Sequence, residues 1–198
     1  MGAFMNGASE GSQVTPHDFR MFPDESSEVG ANCADSSRVW WGVFTRPGCE
    51  KELAEQLRAS HISTFLPMAP TSRLGGDSER WLPLFPGYLF LFGNEAELLK
   101  ALATGCVCRI LPVADQDRLR TDLADLQRLL TSDVPLRLET DLGARSGELI
   151  RVTQGNWAGI SGRTYDHGSE SRFLVEIDFL GQGVSVPIDL VVPRQSAG

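Results

Sequence analysis

The feature that most constrains this fold is an apolar run, Leu84-Phe85-Pro86-Gly87-Tyr88-Leu89-Phe90-Leu91-Phe92. Successive side chains of a β-strand point to opposite faces, and this run is apolar on both faces. If Leu89 and Leu91 point into a core, the aromatic side chains beside them form a cluster on the other face. That cluster predicts an interaction surface unless a helix covers it, and a fully buried central strand is the alternative.

The segments around this run alternate between strand and helix signals. Strands are predicted over residues 38–45, 62–67 and 107–111, helices over 50–59, 95–103 and 115–131, and a hairpin tip over 71–80. The last helix carries a single stripe of leucines at Leu119, Leu123, Leu126 and Leu130. Because the stripe covers only about two heptads, it predicts a helix packed on the sheet rather than a coiled-coil surface.

The composition of the chain divides it into four parts. Residues 1–37 are acidic and rich in Gly and Ser, which predicts a disordered leader. Residues 132–144 mix proline, glycine and acidic residues without periodicity, which is typical of a linker. The linker would join one domain over residues 38–131 to a second domain over residues 145–194.

The second domain contains short strand signals separated by glycine-bearing turns. Its clearest signal is the alternation of Phe173, Val175, Ile177 and Phe179 onto one face, as expected of a small β-barrel. Two further strands are predicted over residues 149–152 and 184–188.

A glycine-rich turn with one large aromatic residue lies inside this domain, with the sequence Gly155-Asn156-Trp157-Ala158-Gly159-Ile160-Ser161-Gly162. The glycines permit a sharp reversal of the chain, and Trp157 is expected to plug one end of the barrel. Placed after the strand signal at 147–152 and before two more strands, this turn resembles the KOW motif, which implies an SH3-like barrel. The residues that carry the motif are Gly155, Trp157, Gly159, Ile160 and Gly162.

Together the two halves resemble the NusG family of transcription elongation factors over residues 39–194. The first half contributes Trp40-Trp41-Gly42-Val43-Phe44, then Thr45-Arg46-Pro47-Gly48 before a helix, Phe65-Leu66-Pro67, and the run over 84–90. The resemblance implies an α+β fold, in which an NGN-like antiparallel sheet flanked by helices is followed by the small KOW barrel. It also implies a factor that binds RNA polymerase and modulates pausing, termination or antitermination.

The resemblance further implies particular contact residues. The patch that receives the clamp helices of RNA polymerase would consist of Phe44, Phe85, Pro86, Gly87, Tyr88 and Phe90. Arg46, Gln56 and Arg58 match positions that face the non-template DNA strand, and an ordinary solvated face is the alternative. Ile160 matches a position at which family members contact a ribosomal protein or the termination factor Rho, and a partly exposed turn residue is the alternative.

The net charge of −8 argues against a general nucleic-acid-binding protein with a basic surface. Residues 145–198 carry five basic and six acidic side chains. This balance disfavours the main alternative function, an RNA-binding or ribosome-associated KOW protein, because its barrel should be strongly basic. The acidic leader favours an operon-specific paralogue over a housekeeping family member.

The histidines and cysteines give no support for catalysis. His17, His61 and His167 lie in separate segments, without a triad, metal or phosphate-loop pattern. Cys106 and Cys108 are expected on one face of a strand as buried thiols, because no second pair or nearby histidine completes a zinc site. A redox or metal enzyme built on these two thiols is the alternative. The expected protein is not an enzyme and uses no cofactor or metal.

No apolar run approaches the ~18 residues of a membrane-spanning helix. The N-terminus also lacks the basic region and long apolar core of a secretory signal. These features predict a cytoplasmic protein without a membrane partner.

Overall fold

The computed structural model describes residues 37–76, 80–140, 142 and 147–191. The predicted leader over 1–37 lies outside the described residues apart from Ser37. The described part is a mixed α/β structure with antiparallel sheets and three α-helices. Its elements are β1 Val39–Thr45, α1 Glu50–Ala59, β2 Ser63–Phe65, β3 Met68–Pro70, β4 Trp81–Pro83, β5 Tyr88–Gly93, α2 Glu95–Ala103, β6 Val107–Pro112, α3 Gln116–Thr131, β7 Arg137–Glu139, β8 Leu149–Arg151, β9 Ser161–His167, β10 Glu170–Ile177 and β11 Gln182–Pro187.

The predicted helices form where local signals start and stop them. Helix α2 begins with a capping box, in which the Asn94 side chain accepts from Glu97 N–H and the Glu97 carboxylate accepts from Asn94 N–H. Asp115 caps α3 by accepting from Arg118 N–H. None of the helices in the described residues combines the length and apolar character needed to cross a membrane.

An antiparallel sheet of four strands, in the order β2-β5-β1-β6, forms the first half of the structure. Val43, Leu89 and Leu91 belong to one buried cluster with residues of α1 and α2. Phe90 and Trp40 belong to a second cluster that includes the leucines of α3. Helices therefore cover both faces of β1 and β5, which explains why the aromatic strand is apolar on both sides.

A second antiparallel sheet has five strands in the order β7-β11-β10-β9-β8. The predicted alternation holds for Phe173, Val175 and Ile177, which are all buried. Phe179 departs from it, because β10 ends at Ile177 and a 3₁₀ turn over Asp178–Leu180 follows. The Phe179 ring instead lies against the first sheet.

Strands β7 and β9 form where no local sequence pattern predicts a strand. Strand β7 lies inside the predicted linker over 132–144 and pairs with β11, so the linker prediction is wrong for this segment. Strand β9 is polar except at Tyr165, whose hydroxyl donates to the Glu139 carboxylate. Ser185 also donates to Glu139, at 2.7 Å, and accepts from Arg172 Nε at 2.8 Å. Buried polar contacts, rather than apolar alternation, therefore join these strands.

The prediction that the Cys106 and Cys108 thiols lie buried on one face of a strand is wrong. The ladder between β1 and β6 shifts register, since Phe44 pairs with Arg109 while Thr45 pairs with Val107. Cys108 is therefore the extra residue of a β-bulge. Cys106 is buried while Cys108 is exposed.

Candidate functional site

An aromatic pair lies where β1 ends and β5 begins. Phe44 and Tyr88 are cross-strand partners, and their ring centroids are 5.2 Å apart with an interplanar angle of 55°. Both side chains are partly exposed. The Arg109 guanidinium lies 6.0 Å from the centroid of the Phe44 ring. The pair thus offers apolar area with a cation at its edge.

The turn before Tyr88 is held in one position. Gly87 has φ +83°, and a Cβ there would lie 3.0 Å from Cε2 of Phe44, so both conformation and space require glycine. The Gly87 N–H donates to Glu50 Oε1 at 2.8 Å, and the Thr45 N–H donates to the Gly87 carbonyl at 2.8 Å. Glu50 is itself buried in the first turn of α1. Helix α1 therefore fixes the backbone that presents the aromatic pair.

The structure divides the six residues of the predicted polymerase patch. Phe85 and Phe90 are fully buried in the cluster that includes the α3 leucines, so neither side chain is available to a partner. The other four, which we call the aromatic patch, are exposed or partly exposed. The aromatic patch consists of Phe44, Pro86, Gly87 and Tyr88.

The three predicted DNA-facing residues are spread over the length of α1. Arg46 precedes the helix and is exposed, whereas Arg58 lies in its last turn. At 1.5 Å per residue, Arg58 lies about 12 Å along the axis from the start of the helix. Gln56 donates to Glu52 at 3.1 Å, so acidic groups lie between the two arginines. The structure does not gather these residues into one basic site.

Helix α3 lies between the two sheets, with contacts to both β1 and β10. Its Asp122 carboxylate accepts from the Asp178 N–H at 3.1 Å and pairs with Arg118 Nε at 2.9 Å. Burial raises the pKa of Asp122 to about 6, against the lowering effect of those two partners. Beside this contact, a Cβ on Gly42 would lie 2.4 Å from Cε1 of Phe179. A close approach of the two sheets therefore depends on a glycine in β1.

The glycine-rich turn of the second sheet also packs against α3. Arg128 Nη2 donates to the carbonyls of Asn156 and Ala158, at 3.1 and 2.8 Å. Trp157 is buried, as expected of a plug, and Ile160 is fully buried rather than partly exposed. Among the other predicted turn residues, Gly155 is exposed, Gly159 is partly exposed and Gly162 is buried in β9.

The comparison with known families identifies the first half of the chain. Residues 38–107 match the family described as transcription termination factor NusG. Over these residues the chain is similar to the NusG family. The matched residues span β1 to the start of β6 and include the whole aromatic patch.

Two solved structures are similar to this chain. One, titled "Domain interaction in Thermotoga maritima NusG", has 19% identity and a TM-score of 0.41, with 76% of this chain and 92% of that chain covered. The other, titled "Crystal Structure of MjSpt4:Spt5 complex conformation A", has 14% identity and a TM-score of 0.29, with 76% and 94% covered. No curated protein matches the chain.

The region around the aromatic patch contains residues that sequence reasoning missed. Arg109 lies against Phe44 because the bulge at Cys108 sets the register of β6, and no local pattern predicts that bulge. Glu50 likewise has no local signal for its contact with Gly87. Cys49, the N-cap residue of α1, lies beside Cys106, and burial together with the Cys106 thiol raises the pKa of Cys49. Each contact joins residues far apart in sequence, so no local pattern signals it.

Proposed function

We propose that this NusG-family protein is a transcription elongation factor that binds RNA polymerase through the aromatic patch. The observation that carries the proposal is the partly exposed Phe44 and Tyr88 pair on a turn held by Glu50. Rigid aromatic side chains give large apolar contact area at low entropic cost, and a few such residues usually dominate an interface. The clamp helices of the polymerase are the partner, and pausing, termination or antitermination is the process modulated.

Phe85 and Phe90 have a supporting role in this proposal. Both lie in the core beneath the aromatic patch, where they pack with the α3 cluster instead of touching the polymerase. Arg109 joins the contact surface, because its guanidinium lies against Phe44 and supplies hydrogen-bond donors at the rim. Arg46, Gln56 and Arg58 are proposed as secondary contacts to the non-template DNA strand.

We assign the second sheet the role of a KOW barrel that recruits a further partner, a ribosomal protein or Rho. Its glycine-rich turn is held against α3 by Arg128, and Ile160 is buried. Recruitment through this turn therefore requires the second sheet to separate from α3. The limits proposed for this part, residues 145–194, have to be extended to include β7.

Replacement of Tyr88 tests the polymerase contact. Tyr88→Ala should weaken binding of the full chain to purified RNA polymerase by about 30-fold, which corresponds to a hot-spot loss of about 2 kcal/mol. Leu99→Ala is the matched control, since Leu99 is 65% exposed on α2, a helix outside the aromatic patch. Biolayer interferometry measures both affinities, and circular dichroism checks that both variants fold. Unchanged affinity of a folded Tyr88→Ala variant would refute the proposed contact.

A transcription assay then tests the process itself. The wild-type chain should change pause lifetimes or terminator read-through of purified polymerase, and Tyr88→Ala should lose that effect in proportion to its lost affinity. An effect retained at full size by Tyr88→Ala would show that the aromatic patch is not the contact.

A further inference from the structure

Three metal-ligating side chains converge behind the aromatic patch. Cys49 caps the start of α1, Glu52 lies in its first turn, and Cys106 directly precedes β6. The two Sγ atoms and a carboxylate oxygen of Glu52 all lie within 4.8 Å of one another. We propose that Cys49, Glu52 and Cys106 bind a thiophilic divalent cation of the zinc type.

The distances between the three donor atoms fit such a cation once the atoms move slightly closer together. Zinc–sulfur bonds of about 2.3 Å in a tetrahedron place two sulfur ligands roughly 3.8 Å apart. Side-chain rotations that move the donor atoms by about 1 Å therefore bring all three into contact with one ion without backbone rearrangement. Two thiolates and one carboxylate are a ligand set that zinc accepts, whereas magnesium and calcium prefer oxygen donors alone.

The backbone around the three donors is already fixed. The Arg46 N–H donates to the Cys106 carbonyl at 2.8 Å, and the Cys49 N–H donates to the Arg46 carbonyl at 3.0 Å. The Cys106 N–H donates to Thr104 Oγ1 at 3.1 Å. These hydrogen bonds hold the residue before β6 next to the start of α1. The Cys49 and Cys106 thiols therefore face each other whether or not an ion is bound.

The local charges also suit the complex. Two thiolates, one carboxylate and a divalent cation carry a net charge of −1. Burial and the neighbouring Cys106 and Glu52 groups raise the pKa of the Cys49 thiol, and the Arg46 cation offsets part of this effect. The start of α1 contributes positive dipole potential, and a bound cation would offset the remainder. The Cys49 side chain makes no capping hydrogen bond, so its sulfur is not committed to the helix backbone.

The fourth ligand position faces water. Glu52 is exposed and Cys49 is partly exposed, while Cys106 closes the buried side. Three protein ligands with one open position leave room for a water molecule on the ion. No local sequence pattern indicates this site, because its donors are divided between the start of a helix and the residue before a strand far along the chain.

Cobalt titration of the full, reduced chain tests the proposal with Co²⁺ as the probe. One equivalent should produce a sulfur-to-cobalt charge-transfer band, and Zn²⁺ should abolish that band. Cys49→Ser and Cys106→Ser should lose the band, whereas Cys108→Ser and Cys33→Ser should keep it. Glu52→Gln should weaken Co²⁺ binding by about tenfold or more, since even residues that only orient ligands cost that much.

A second measurement covers the case in which Cys106→Ser fails to fold. In the wild-type chain, Zn²⁺ should protect Cys49 and Cys106, but not Cys108, from alkylation as mapped by mass spectrometry. The absence of a thiolate band, loss of the band in Cys108→Ser, or equal alkylation with and without Zn²⁺ would each overturn the proposal. Air-formed Cys49–Cys106 disulfide in a chain that binds no Co²⁺ when reduced would overturn it in favour of a redox pair.

Discussion

Asp122 makes the stability of this protein depend on pH in a direction opposite to that of most carboxylates. Its carboxylate lies between α3 and the second sheet, where it accepts from Asp178 N–H and pairs with Arg118. Burial outweighs these partners, and the neighbouring Asp178 and Asp125 carboxylates add to the raising effect. Asp122→Asn keeps an acceptor for the Asp178 N–H but removes the ionisation.

The magnitude follows from the shift in pKa. The pKa rises from 3.8 to about 6, and each unit is worth about 1.4 kcal/mol, so the total is about 3 kcal/mol. Below about pH 3 the group is almost fully protonated in both folded and unfolded chains and contributes almost no difference. Between pH 4 and 7 the folded chain holds its proton more tightly, so its stability falls as pH rises. Asp122→Asn should therefore match the wild type at pH 3 and be more stable by about 2 to 3 kcal/mol at pH 7.5.

Urea unfolding of both chains from pH 3 to 8 measures this difference, because other titrating groups cancel between them. Asp117→Asn is the matched control, since Asp117 lies on the same helix with its side chain 95% exposed. The control should differ from the wild type by a nearly constant amount across the pH range. Parallel curves for Asp122→Asn and the wild type would refute the reasoning.

Two further predictions concern the contacts that hold the sheets. Gly42→Ala should lower the free energy of unfolding in urea by about 1 to 3 kcal/mol, because its Cβ would collide with Phe179. Phe179→Ala in the same chain should relieve part of that loss. Strictly additive losses in the double variant would contradict this contact. Glu139→Ala should cost about 3 kcal/mol by thermal unfolding, because it leaves the buried Tyr165 and Ser185 hydroxyls without their shared acceptor. Glu170→Ala removes a half-exposed partner of Arg172 and should cost under about 1 kcal/mol. Similar losses for the two variants would contradict a buried network.

Local sequence determined the elements whose signals lie within a few residues. Leucines at helical spacing predicted α3, and the structure confirms a helix over Gln116–Thr131. The helix predicted over residues 50–59 is confirmed at Glu50–Ala59. The strand and turn order also supported the family resemblance, which the match over residues 38–107 confirms. Periodicity works here because a helix or strand face is set by neighbours three, four or two residues away.

Tertiary structure decided which of these faces remained open. Period two placed Phe90 opposite Leu89 and Leu91, but only the position of α3 shows that Phe90 is covered while Tyr88 is not. The same applies to Cys49 and Cys106, which backbone hydrogen bonds through Arg46 hold close together. Periodicity does not predict strands β7 and β9, because their burial depends on polar partners in other strands. A sequence encodes the face of an element locally, whereas the layer that covers that face is chosen by contacts between residues distant along the chain.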